Sequence, residues 1–390
     1  MQLADRVLQL KPSATLAVNA LALELKAAGR EIISLSLGEP DFDTPRAIKD
    51  AAIQAIESGF TKYTAESGIN ELRSAAAAYF NKNYGANAGA EHILIANGGK
   101  QCLFNLILAT INPGDEVIIP TPYWVTYPAI VEIAGGVPVF APAGADKGFK
   151  VTVEDLERCF TPKTRMCIIN SPSNPSGVLY TESEVAALAK WAVDKGILLL
   201  ADEIYDQLVY GDMQHSSFCQ WWQKHPQNFA IVNGVAKSFA MTGWRVGYLL
   251  ADSALIKEAG KLQGQSTSNV CSIAQKAALA ALTGYLPEMD EMKKAFERRC
   301  KLVVDIIAGW KDVVCPTPQG AFYVFPDVHR LYTDKIKNSS DMCSYLLEEA
   351  GVAMVPGVAF GDDNCIRISY ATDDATIEKA LHKVAKALYK

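Results

Sequence analysis

Short apolar runs recur along the middle of the chain. They are Ile93-Leu94-Ile95-Ala96, Val117 to Ile119, Val137 to Phe140, Met166 to Asn170, Ile197 to Ala201 and Phe229 to Val232. Runs this short, with little alternation, predict strands buried on both faces. Between them lie helical patterns at Lys100 to Thr110, residues 124 to 134 and Glu182 to Lys195, the last ended by Gly196. Thr152 with Asp155 and Thr181 with Glu184 have the spacing of capping boxes. Apolar strands separated by helices predict an α/β fold, with a mostly parallel sheet covered by helices on each side.

The rhythm breaks near Gly284-Tyr285-Leu286-Pro287. A long charged helix, about Glu288 to Ala308, leads into short strands at Val324, Ala353 to Val355 and Cys365 to Ser369. A last helix runs from Thr372 to Tyr389. This pattern predicts a smaller α+β unit. The first residues do not fit the parallel rhythm either. A helix is expected over Thr15 to Ala28, with Leu16, Ala20, Leu23 and Ala27 on its apolar face, then a strand-like run from Ile32 to Leu37. Thr44 and Pro45 suit the N-cap and first position of the next helix. The expected division is an N-terminal arm joined to the smaller unit (1–44), a large domain (45–285) and a small C-terminal domain (286–390).

Composition narrows the class. Of 390 residues, 49% are apolar and 21% charged, as in ordinary soluble proteins, and the net charge of −6 argues against nucleic acid as a partner. The nine cysteines show no C-x-x-C spacing and the five histidines no H-E-x-x-H, so metal or disulfide frameworks are not expected and a reduced, cytoplasmic setting fits. The first thirty residues lack the order of a signal peptide.

Polar residues gather where strands are expected to end, which is where open α/β sheets bind ligands. Lys237 follows the run Phe229 to Val232 and precedes Phe239, Ala240 and Met241. Apolar surroundings lower a lysine pKa and free the amine as a nucleophile toward a carbonyl; a stem along the core with its head in water is the competing reading. Asn97-Gly98-Gly99 leads into a helix at Lys100, a junction suited to phosphate, although Walker and G-x-G-x-x-G patterns are absent. Asp202 ends an apolar strand and would need a cationic partner to stay ionised. Asn174 lies in the rigid turn Ser171 to Gly177. Arg245 is enclosed by Gly243, Trp244, Val246 and Gly247 and should have an anionic partner. Arg367 alternates with Ile366 and Ile368; it either forks onto a carboxylate or faces solvent. Together these residues are the parts needed to hold pyridoxal phosphate and an amino acid.

The chain also resembles a known family. The strings KPSAT, SLGEPDFDTP, TKYTAESGINELR, NGGKQCLFN, PGDEV, PYWVTYP, NSPSNPSG, LLADEIY, NGVAKSFAMTGWRVGY, QGAFYVF, VPG and CIRISYAT are similar to the class I, fold-type-I pyridoxal-phosphate aminotransferases, especially bacterial-type aspartate aminotransferases. The likeness runs nearly end to end. It implies a seven-stranded, mostly parallel sheet and a homodimer sharing its active site. It implies that Lys237 is the Schiff-base lysine, that Asp202 pairs with the pyridine nitrogen, and that Tyr205 and Asn174 bond the ring 3′-oxygen. Trp124 would stack on the ring. The Gly99 and Lys100 amides, Arg245 and a partner subunit's Tyr63 would hold the phosphate. Arg367, Asn174 and Gly38 would take the substrate α-carboxylate. Lys100, Ser13 and Thr15 would serve the distal carboxylate. Gly234 and Ala236 stand where many relatives carry phosphate-binding serines. The implied reaction is ping-pong amino transfer from L-aspartate to 2-oxoglutarate. Prephenate, aromatic or alanine aminotransferases are same-family alternatives, and a C–S lyase is a further one. A nicotinamide dehydrogenase and a pyridoxal-binding regulator are the rivals from other classes.

Overall fold

The computed structural model describes residues 3–8, 10 and 14–390, with the side chains of residues 5, 6 and 14–16 excepted. Among the described residues twelve strands occur in chain order: β1 (Ile33–Ser34), β2 (Ile93–Ala96), β3 (Glu116–Thr121), β4 (Val137–Pro142), β5 (Thr164–Asn170), β6 (Leu198–Asp202), β7 (Phe229–Gly234), β8 (Gly247–Leu250), β9 (Tyr323–Val324), β10 (Val352–Ala353), β11 (Val355–Pro356) and β12 (Ile366–Ser369). Seven form the main sheet, in the order β2-β8-β7-β6-β5-β3-β4. Only β8 runs against its neighbours, β2 and β7; the remaining pairs are parallel. The expected seven-stranded, mostly parallel α/β sheet is therefore present.

Strand periodicity explains why these runs needed apolar residues at every position. Ile93, Ile95, Ile169, Leu199, Ala201, Phe229 and Ile231 join the core on one face of the sheet. Leu94, Ala96, Ile168, Leu200, Ala230 and Val232 join the core on the other. Successive side chains point to opposite faces, and helices cover both. Fully burying each larger side chain contributes about 1.5–3 kcal/mol. The two anticipated capping boxes are formed: the Thr152 hydroxyl accepts from the Asp155 amide, and Thr181 from the Glu184 amide.

A further core lies off the main sheet. Leu35, Phe296, Val303, Phe322, Val324, Leu346, Val352, Ile366, Ile368, Ile377 and Leu381 build it, mixing both ends of the chain. There β1 pairs with β10, and β11-β12-β9 form a three-stranded sheet. The long helix is Pro287–Ile307 and the last is Asp374–Leu388.

Two local expectations need correction. The helix Ala14–Ala27 packs through Ala22, with Val18 and Leu25 beside it, whereas Leu23 is 58% exposed. Its small apolar surface left the phase of the helix underdetermined. The Thr44 hydroxyl does not cap Arg46–Glu57; Pro45 is the N-cap, without a side-chain bond, and Thr44 Oγ1 donates to the Ala240 carbonyl at 2.6 Å. Its oxygen accepts instead from Trp244 Nε1 at 3.0 Å, a long-range donor in place of the local amides.

Candidate active site

The carboxyl ends of β5, β6 and β7 open into a cavity of ≈ 440 Å³. Gly38, Gly99, Lys100, Trp124, Asn174, Asp202, Tyr205, Lys237, Arg245 and Arg367 all line it, so residues spread over more than three hundred positions converge. Its lining carries four bases (Lys100, Lys237, Arg245, Arg367) against two acids (Glu39, Asp202), which favours anionic ligands.

Lys237 lies on the turn after β7. Its Nζ donates to the Gly38 carbonyl and sits over the rings of Tyr205 and Phe322, at 5.9 and 5.7 Å. Burial lowers its pKa to about 8, with Glu39 opposing and Arg367 and Arg245 reinforcing the shift. The amine is thus poised between its charged and free forms near neutrality.

Asp202 ends β6 and is buried. Tyr127 donates its hydroxyl to Oδ2 at 2.7 Å, and the Ile204 amide donates to Oδ1 at 3.3 Å. Desolvation raises the pKa to about 6 in spite of the Tyr127 and Ile204 hydrogen bonds. Among the described residues two neutral donors hold the carboxylate, and with a pKa of about 6 it is largely ionised at pH 7. Tyr205, three residues on, shares a 3.1 Å hydroxyl–hydroxyl hydrogen bond with Tyr323; burial pushes its pKa up and keeps the phenol protonated.

Arg367 is 2% exposed, in a strand where all four residues are buried, so it does not face solvent. Among the described residues no carboxylate pairs with it. Its Nη1 donates to Asn174 Oδ1 at 3.0 Å and its Nη2 to the Ser36 carbonyl at 2.6 Å, while Nε has no partner among the described residues. Tyr323 and Phe360 flank the guanidinium at 4.6 and 5.0 Å. A buried cation with only neutral acceptors is a ready receptor for a carboxylate. Asn174 is held in turn, since its amide donates to Asn170 Oδ1 at 2.8 Å and Asn170 Nδ2 donates to the Asp202 carbonyl at 2.8 Å.

The helix Gly99–Thr110 starts at the cavity with no side-chain cap, leaving its first amides free for an anion. Arg245 beside it is exposed, contrary to its enclosed sequence context. It has no carboxylate partner among the described residues: Nη1 donates to the Thr242 carbonyl at 2.8 Å and Nη2 to the Asn97 carbonyl at 3.5 Å. Flanking residues in sequence point elsewhere because Arg245 adopts a left-handed conformation, φ 56°. The glycines at 234 and 247 have a packing reason. They face each other across β7 and β8, and a Cβ on Gly247 would lie 2.3 Å from the Gly99 nitrogen. A Cβ on Gly234 would lie 3.0 Å from Gly247 Cα. Small residues let the anion-binding helix approach the sheet.

Lys100 places Nζ 5.0 Å from the Trp124 ring centre, and burial, then Arg245, lowers its pKa. Tyr63 does not line the cavity and is 91% exposed. Ser13 and the Thr15 side chain lie outside the described residues. Sequence reading missed Asn19, Leu37, Glu39, Tyr127 and Tyr323, all in the lining. Glu39 stood next to Gly38 inside a recognised string; nothing local marked Tyr127 as the partner of Asp202.

Comparison with known proteins decides the family. The profile described as "Aminotransferase class I and II" matches residues 30–384. This chain belongs to that family. The aminotransferase is 46% identical to the aspartate/prephenate aminotransferase of Cereibacter sphaeroides, over 98% of this chain and 97% of that protein. It is 43% identical to the aspartate aminotransferase of Geobacillus stearothermophilus, over 98% of each. Its fold is similar to that of the aspartate aminotransferase from Thermus thermophilus with maleate, with a TM-score of 0.94 and 40% identity over 99% of this chain and 100% of that one. The family is pyridoxal-phosphate-dependent, and the residues here fit the cofactor. The cavity supplies uncapped helix amides and an arginine without a carboxylate for the phosphate, a buried carboxylate for a ring nitrogen, and an amine of lowered pKa for the aldehyde. Among the described residues, no helix is long and apolar enough to cross a membrane.

Proposed function

We propose that this aminotransferase moves the amino group of L-aspartate to 2-oxoglutarate. The observation that carries the reading is Arg367, a buried guanidinium held only by neutral acceptors, in one cavity with a second cation, Lys100. A dicarboxylic acid matches two such cations; a monocarboxylic acid leaves one unused. Aspartate is named for all three relatives above, with prephenate beside it for the first, and this supports the same choice.

Pyridoxal phosphate, when bound, supplies the electron sink that makes the amino acid Cα–H acidic. Arg367 and Asn174 would orient the α-carboxylate, with the Gly38 backbone alongside. Lys100, with Ser13 and Thr15, would take the distal carboxylate. Lys237 Nζ, free of its proton above about pH 8, would accept the Cα proton. Asp202, ionised above about pH 6, would keep the ring nitrogen protonated. Tyr205 and Asn174 would hold the ring oxygen and Trp124 the ring face. The Gly99 and Lys100 amides and Arg245 would hold the phosphate. Tyr63 does not line its own cavity, so its contribution requires a second copy, and we infer a homodimer on this basis; the nine free cysteines support a cytoplasmic setting. The separate cores of the main sheet and of the C-terminal strands support a large domain at 45–285, with 1–44 and 286–390 forming the small one.

The test is a panel of single half-reactions followed by the cofactor's absorbance. Aspartate and glutamate should react fastest, and Lys100→Ala should lower kcat/KM for aspartate but not for alanine. If alanine or phenylalanine outruns aspartate in the unaltered protein, the substrate assignment fails. Borohydride reduction of the loaded protein should label Lys237.

A further inference from the structure

Residues 36–45 form an irregular strap, of which Leu37, Gly38 and Glu39 line the cavity. The Ser36 carbonyl accepts from Arg367, and the Gly38 carbonyl from Lys237. Glu39 Oε2 accepts from Thr242 Oγ1 at 2.8 Å, and Thr44 Oγ1 accepts from Trp244 Nε1 at 3.0 Å. One anchor points elsewhere. Asp41 is gripped by Arg299 through two parallel bonds, Nη1 to Oδ1 at 2.7 Å and Nη2 to Oδ2 at 2.9 Å.

Arg299 belongs to the long helix Pro287–Ile307, and its side chain is 7% exposed. The guanidinium lies 5.2 and 5.5 Å from the ring centres of Phe42 and Phe296. Its Nε donates to Asp374 Oδ1 at 3.3 Å, and Arg298 holds Asp374 from the other side at 2.6 and 3.0 Å. A largely buried ion pair of this kind adds little net stability over apolar packing of the same volume, but it fixes direction as well as distance. Three residues span at most about 10 Å, so a fixed Asp41 restricts where the Gly38 carbonyl can lie.

We propose that Arg299, acting through Asp41, is a positioning residue for amino transfer. It holds the strap so that the Gly38 carbonyl meets Lys237 and the Ser36 carbonyl meets Arg367. The inference rests on the roles given above to Lys237 and Arg367. A strap released from Arg299 leaves the guanidinium of Arg367 misaligned for an incoming carboxylate and takes an acceptor away from the Lys237 ammonium.

Asp41→Asn and Arg299→Lys test this in the dimeric holoenzyme and the cofactor-free protein. Both keep polarity and near-native volume; Arg299→Lys keeps the charge but not the fork. Each should raise KM for aspartate about tenfold with kcat within about twofold, and the double variant should be no worse than either single one. In the cofactor-free protein, the pH at which Lys237 becomes reactive to an amine label should fall in both, because the charged amine has lost its carbonyl. Unchanged KM together with an unchanged labelling midpoint, or a change confined to thermal stability, overturns the proposal. In those outcomes borohydride still labels Lys237 in the holoenzyme; loss of that label would instead overturn the functional reading itself.

Discussion

Replacing Asp202 with asparagine should make the cofactor-free protein more stable while abolishing turnover. Burial raises the Asp202 pKa from its usual 3.8 to about 6. The folded state therefore binds this proton more tightly than the unfolded chain does. Stability from this group is present below the unfolded pKa and is lost as pH rises from about 4 to about 6. Above that window the ionised carboxylate costs about two pKa units, or about 3 kcal/mol. Asparagine removes the charge and nearly keeps the bonds: its oxygen can accept from the Ile204 amide, and its NH₂ can donate to the Tyr127 hydroxyl, which rotates to accept. One strained or lost bond offsets about 1 kcal/mol. The expected net gain at pH 8 is about 1–3 kcal/mol, shrinking toward zero near pH 4. Urea unfolding of both cofactor-free proteins at the two pH values reads the difference directly. A variant less stable than the parent at pH 8 would refute the claim that Asp202 is held ionised at a cost.

Other expectations follow from the same geometry. Tyr127→Phe removes a charge-assisted bond worth about 1.5–3 kcal/mol, so the acid limb of the kcat/KM profile should move up by about one to two pH units; an unmoved limb contradicts the Tyr127–Asp202 assignment. Arg367→Leu should weaken α-carboxylate binding by at least about 2 kcal/mol, read as KM or as dissociation of a dicarboxylate inhibitor. Gly247→Ala should lower cofactor affinity more than tenfold or prevent folding, since its Cβ meets the Gly99 nitrogen at 2.3 Å; equilibrium dialysis and circular dichroism distinguish the two. Amine labelling of Lys237 in the cofactor-free protein should rise with a midpoint near pH 8, against about 10 for surface lysines.

Much of this protein was legible along the chain. Strands β2, β5, β6 and β7 lie where the apolar runs predicted, because a strand buried on both faces leaves no room for polar residues. The residues at their carboxyl ends were readable for the same reason: a polar group closing an apolar strand must stand at the rim of the sheet. Local chemistry also fixed the capping boxes at Thr152 and Thr181, where donor and acceptor are three residues apart. Tertiary structure decided what depends on partners distant in sequence. Arg367 could not be told from a solvated strand residue until Asn174 and Ser36, 193 and 331 positions away, closed around it. Arg245 is exposed despite its apolar and glycine flanks, because its neighbours in sequence are not its neighbours in space. Tyr127, which tunes the central carboxylate from 75 residues away, carries no local mark at all. Burial and backbone hydrogen bonding leave a periodic imprint on a sequence, whereas the pairing of one polar side chain with another is set only when the whole chain has packed.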